Sequence, residues 1–115
     1  MKSKMSRATD ISPKVRKEVR ERDKYCVICG KPGTDLMHYI PRSRGGLGIA
    51  MNLVLGCHEC HMKQHSSDPE IMYTMRDYLI YQYGDEWNST CLIYHDPRYE
   101  DLPLSKSIQF GGNNA

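Results

Sequence analysis

Two Cys-x-x-Cys pairs, Cys26/Cys29 and Cys57/Cys60, constrain this chain more than any other feature. Tetrahedral Zn²⁺ takes four soft thiolates, and two short chelating turns deliver them. With 115 residues there is room for one small domain whose core is too small to stand on burial alone, so a staple of this kind is expected. The competing assignment is two disulfides, which needs an oxidising compartment. Met1-Lys2-Ser3-Lys4-Met5-Ser6 leads into no apolar signal-peptide core, and no stretch approaches transmembrane length. The expectation is therefore a cytoplasmic protein without membrane association, carrying a structural zinc on Cys26, Cys29, Cys57 and Cys60. Cys91, the fifth cysteine, is expected as a small buried hydrophobe.

The net charge of +2 hides an asymmetry: residues 1–31 hold ten Lys/Arg against four acids, whereas residues 68–115 hold three against eight. A basic N-terminal segment suits a polyanion, because each phosphate neutralised releases condensed counterions. An ordinary solvated helix face explains the same charges equally well.

Along the chain, residues 1–11 lack periodicity and are expected as a disordered basic arm. Ser12 is a good N-cap and Pro13 suits the first helical position. Val15, Val19 and Arg22 then share a stripe, which predicts a helix to about Asp23. Leu36 to Ile40 reads as a strand ended by Pro41, Arg42 to Gly46 as a loop, and Asn52 to Leu55 as the returning strand. Cys57 to Gln64 should be helical. Asp68-Pro69 should cap a further helix, 69–83, in which Ile71, Met72, Met75, Leu79 and Gln82 mark the packed stripe before Gly84. Leu92-Ile93-Tyr94 is expected as a closing strand. The expected layout is one domain over residues 12–100, with a motif core at 26–66 and a flexible tail at 101–115.

Several pieces then agree in type, order and spacing: His38 to Pro41, Gly45-Gly46, Asn52-Leu53, and Cys57-His58-Glu59-Cys60-His61. Together they resemble the HNH endonuclease family, whose pattern runs from a His-x-x-Pro and Gly-Gly hairpin through Asn-Leu to a Cys-x-x-Cys-His that opens a helix. The resemblance covers residues 12–66. It implies an α+β fold of the small ββα-metal (His-Me finger) type, with a structural four-cysteine zinc site and flanking helices. It also implies DNA as substrate and one strand cut per domain. His38 falls at the family's general-base position, Asn52 at that of the residue orienting the base, and His61 at a metal-binding position. Similar stand-alone proteins imply a bacteriophage or bacterial-host setting, with a packaging or host protein as partner.

The residues fit that chemistry. An imidazole with an ordinary pKa near ~6.5 can take a proton from water at neutral pH. His65 lies one helical turn beyond His61 and can reach the same divalent ion. Arg42 and Arg44 can grip phosphate bidentately from a Gly-rich loop, and Lys63 on the same helix as His61 can add a contact. Arg16, Lys17 and Arg20 could extend that footprint. His58 is expected to face solvent, and His95 has no assigned role.

One residue departs from the family pattern, since an acidic metal ligand usually precedes the first histidine and this chain has Met37 there. A thioether does not replace a carboxylate, and two imidazoles favour Mn²⁺, Co²⁺ or Ni²⁺ over Mg²⁺. Asp35, two residues away on the same strand face, should substitute only through a register shift or a bulge. The alternative to an endonuclease is accordingly a catalytically impaired, zinc-stapled DNA- or protein-binding module. A purely structural zinc protein, with no DNA affinity, is a third reading.

Overall fold

The computed structural model describes residues 3–95; the tail expected at 101–115 and the domain end at 100 lie outside the described residues. The fold is small and α+β, with one two-stranded sheet and helices around it.

Residues expected to form a disordered arm instead open with a helix, α1 (Lys4–Thr9). Six residues are too few to hold a helix in isolation, and docking supplies the rest. The Ser3 hydroxyl accepts from the Ser6 backbone N–H at 3.1 Å, and Gly48 N–H donates to the Ala8 carbonyl at 3.0 Å. A Cβ on Gly48 would lie 2.1 Å from the Asp10 carbonyl oxygen, so only glycine lets the chains approach this closely. Thr9 is buried, and Asp10 pairs with Arg42.

The next helix, α2 (Pro13–Asp23), begins at the expected Ser12 cap, whose hydroxyl accepts from Val15 N–H at 3.1 Å. Val19 is fully buried. Arg22 and Asp23 turn inward as a pair. Arg22 donates to the carbonyls of Ala50 (3.0 Å) and Leu53 (2.7 Å) and to the Tyr83 hydroxyl (2.8 Å). Asp23 accepts from Leu55 N–H at 2.9 Å and from the Tyr78 hydroxyl. Hydrogen bonds on every side offset the cost of taking these charges out of water.

Strands β1 (Asp35–His38) and β2 (Leu53–Gly56) pair antiparallel, with Asp35 opposite Gly56 and His38 opposite Leu53. The sheet separates two apolar clusters. Leu36, Leu53 and Leu55 pack with Val19 and Ala50 on one face. Met37 and Val54 pack on the other, with Cys26, Cys57, Cys60, Ile71, Met75 and Leu79. Strand alternation thus sends Met37 into the core and His38 to the opposite face.

Helix α3 (His58–His65) starts directly after β2, and α4 (Pro69–Tyr83) follows with Asp68 as its cap and Ile71, Met75 and Leu79 buried. The expected closing strand reduces to a single bridge between Gly46 and Ile93, preceded by a 3₁₀ turn, Ser89–Leu92. That turn buries Leu92 and leaves Cys91 exposed, so Cys91 is a surface thiol rather than the expected core residue. No helix among the described residues is long and apolar enough to cross a membrane.

Candidate active site

Four sulfur atoms hold the base of the site. The two knuckles fold alike, with the Cys29 backbone N–H donating to Cys26 Sγ at 3.5 Å and the Cys60 N–H to Cys57 Sγ at 3.4 Å. The four Sγ atoms all lie within 4.8 Å of one another, and Cys29 and Cys57 approach to 3.6 Å without a disulfide. Four thiolates around one tetrahedral ion at metal–sulfur bonds of about 2.3 Å need sulfur spacings of this size. The cysteines are positioned to hold a metal ion, and among the described residues theirs is the one His/Cys/Asp/Glu group of three or more gathered this closely. Val27 N–H donates to the Leu55 carbonyl at 3.0 Å, which fastens the first knuckle to β2.

Above this base, a cleft of about 920 Å³ gathers five of the residues singled out in the sequence: His38, Arg42, Arg44, His61 and His65. Asn52 lies beneath it, fully buried. Its Oδ1 accepts from Ile40 N–H at 2.8 Å, and its Nδ2 donates to the carbonyls of Ile40 (3.1 Å) and Leu47 (2.9 Å). One amide thereby closes both ends of the arginine loop, using donors and acceptor together. Gly46 tightens the same loop: its N–H donates to the Pro41 carbonyl at 2.9 Å, and a Cβ there would sit 1.7 Å from the Ile40 carbonyl oxygen. Lys63 is exposed on α3 and does not line the cleft.

His38 projects from the end of β1, half-buried, with Nε2 3.1 Å from the Thr9 carbonyl oxygen. A carbonyl only accepts, so this contact assigns the ring proton to Nε2 and leaves Nδ1 with its lone pair. Burial holds the His38 pKa below the ordinary imidazole value; the Thr9 carbonyl works against this, and the Arg42 and His61 charges add to it. Gln64 Nε2 donates to the His38 backbone carbonyl at 2.8 Å and so ties α3 to β1 beside the histidine.

The rings of His61 and His65 lie 4.7 Å apart between centroids, tilted by 35°, on one face of α3. His61 has a partner that strand alternation alone did not suggest. Asp35 Oδ2 lies 2.9 Å from His61 Nδ1 with the sheet in regular register, so no shift or bulge is needed for the two to meet. His58, exposed as expected, lies 3.3 Å from the same oxygen. The His61 contact, then the Thr34 hydroxyl, hold the Asp35 carboxyl down to about 2; partial burial opposes this and His58 assists. Met37 is fully buried and offers the cleft nothing. His95 bonds locally to the Thr90 carbonyl.

Thr9 and Gln64 were not singled out in the sequence, and Asp35 was considered there only as a substitute metal ligand, not as a partner of His61. Thr9 contributes a backbone carbonyl that any residue type would supply, so no sequence signal marks it. The contact between Asp35 and His61 could have been found only by asking how far a carboxylate reaches toward the first turn of α3.

No curated protein and no solved structure matches the chain. The family model described as HNH endonuclease matches residues 26–67. That segment runs from the first cysteine knuckle through the hairpin and Asn52 to the end of α3, and it is similar to the HNH endonuclease family.

Proposed function

We propose that this chain is a metal-dependent endonuclease that hydrolyses DNA phosphodiester bonds, nicking one strand per domain, with a structural zinc on Cys26, Cys29, Cys57 and Cys60. The observation that supports this most is the convergence of three imidazoles and two guanidiniums on one cleft, over a cysteine cluster that needs no histidine to be complete.

His38 acts as general base. Its Nε2–H is held by the Thr9 carbonyl, so Nδ1 takes the proton of a water as that water's oxygen attacks phosphorus and the bond to the 3′ oxygen breaks. Burial favours the neutral ring, the form whose free nitrogen can accept a proton. Asn52 fixes the loop, and Arg42 and Arg44 hold phosphate oxygens. Lys63 supplies a further phosphate contact outside the cleft. His61 and His65 would hold a divalent ion, which when bound offsets charge at phosphorus and on the leaving oxygen. With two imidazoles and no carboxylate at position 37, Mn²⁺, Co²⁺ or Ni²⁺ should serve better than Mg²⁺. A phage or bacterial cytoplasmic setting, with a packaging or host protein as partner, extends this reading on resemblance alone.

One observation favours the alternative of an impaired binding module: Met37 is turned into the core where the family's acidic ligand is expected. Supercoiled-plasmid relaxation separates the two. Wild type should convert plasmid to open circles with Mn²⁺, Co²⁺ or Ni²⁺, while His38→Ala binds within a few-fold and does not cut. Binding by both proteins without cutting in any divalent ion would establish the binding module.

A further inference from the structure

We infer that Asp35 is a positioning residue for His61: its carboxylate captures the Nδ1–H, so that Nε2 is the ring nitrogen presented to a divalent cation in the cleft. The inference rests on the reading of His61 as a metal ligand.

The geometry has three parts. First, Oδ2 of Asp35 sits 2.9 Å from His61 Nδ1, while Oδ1 accepts the Thr34 hydroxyl at 2.8 Å, so both oxygens are engaged. Second, His61 and His65 line the cleft and Asp35 does not. The carboxylate therefore stands behind the imidazole, on the side away from the site. Third, β1 fixes the distance. Asp35 and Met37 share a strand face; Met37 is consumed by the core, and Asp35, one pleat back, reaches the first turn of α3.

An imidazole whose Nδ1–H is held by a carboxylate is locked in one tautomer and one ring orientation, and its Nε2 becomes more basic. A free imidazole has neither constraint. The carboxylate missing from position 37 is thus not restored as a ligand; a different carboxylate acts one bond further out. His58 shares the same oxygen at 3.3 Å but is mostly exposed, so it is expendable.

The test uses the full chain with its cysteine site loaded with zinc and its histidines ¹⁵N-labelled. Long-range ¹H–¹⁵N correlation should show His61 as the Nδ1–H tautomer in wild type and lose that preference in Asp35→Ala. Titration with Mn²⁺ should broaden His61 and His65 in wild type, and Asp35→Ala should weaken the Mn²⁺ affinity about 10- to 100-fold. Asp35→Asn, whose amide oxygen still accepts the proton, should keep the tautomer and most of the affinity. His58→Ala should behave as wild type. Amide spectra show whether Asp35→Ala folds, and the His61 tautomer of the wild-type protein carries the test if it does not.

An Nε2–H tautomer in wild type, or unchanged Mn²⁺ affinity in folded Asp35→Ala, would overturn the inference while leaving the endonuclease reading intact. The expected tautomer with no response of His61 and His65 to Mn²⁺ would remove the metal assignment itself, and the inference with it.

Discussion

The Nε2 atom of His38 lies 3.1 Å from the carbonyl oxygen of Thr9, so the end of α1 sets the tautomer of the histidine at the mouth of the cleft. Deleting residues 1–10 removes this acceptor together with the Asp10 partner of Arg42. Single-turnover nicking should slow on the order of 10- to 100-fold, a part of what a general base contributes. Thr9→Ala keeps the carbonyl and should retain most of the rate. A full rate in the deletion would show that the carbonyl does not orient the base.

The depressed His38 pKa has a definite sign in pH experiments. The unfolded chain takes up a proton near ~6.5, and the folded protein does so only at lower pH. The associated stability is therefore complete above the unfolded value and is lost as pH falls through the folded one. Cleavage follows the neutral ring, so the acid limb of kcat/KM should fall at an apparent pKa below about 6.5. An acid limb above that value would contradict the burial argument.

Asn52 gives a stability prediction. Replacement by alanine orphans Ile40 N–H and two carbonyls in a fully buried position, and should cost about 2–4 kcal/mol in urea denaturation. Asn52→Asp keeps the acceptor for Ile40 N–H but points a carboxylate at the Ile40 and Leu47 carbonyls, so it should also destabilise. A neutral aspartate variant would mean that the loop is held by other contacts.

Chelation tests the cysteine cluster. Binding of zinc by four thiolates contributes folding free energy on the order of 10 kcal/mol in small zinc domains. Metal-free protein should therefore lose amide dispersion and near-UV ellipticity over the hairpin, α3 and the knuckles. Retained tertiary structure after chelation would remove the zinc assignment.

Features that depend on neighbouring residues were legible in the sequence. Ser12-Pro13 and Asp68-Pro69 start α2 and α4 where expected, because a cap is a contact between residues two or three apart. Each knuckle is equally local, whereas the hairpin pairs residues as far apart as Asp35 and Gly56 and was marked instead by its apolar strands and Gly-rich loop. Asp35 shows where such reading stops. Alternation correctly puts it on the face of Met37, but the length of its side chain and the tilt of α3 decide what it touches. The helix at residues 4–9 was invisible for another reason: its propensity is weak, and its anchors are Gly48 and His38, about 30–40 residues downstream. Cys91 failed on a single rotation of a 3₁₀ turn, which sends Leu92 inward instead.

The bridge between Gly46 and Ile93 carries a consequence for the loop that bears both arginines. Leu47 N–H donates to the Leu92 carbonyl at 2.8 Å and Tyr94 N–H to the Gly45 carbonyl at 2.7 Å, while Arg42 is paired with Asp10 at the other end of the described chain. The loop is suspended between segments that are remote in sequence, and its conformational entropy is set by both of them. Pulling on the chain after residue 94, or displacing α1, would slacken Arg42 and Arg44 without touching an imidazole; tethering either end would do the reverse.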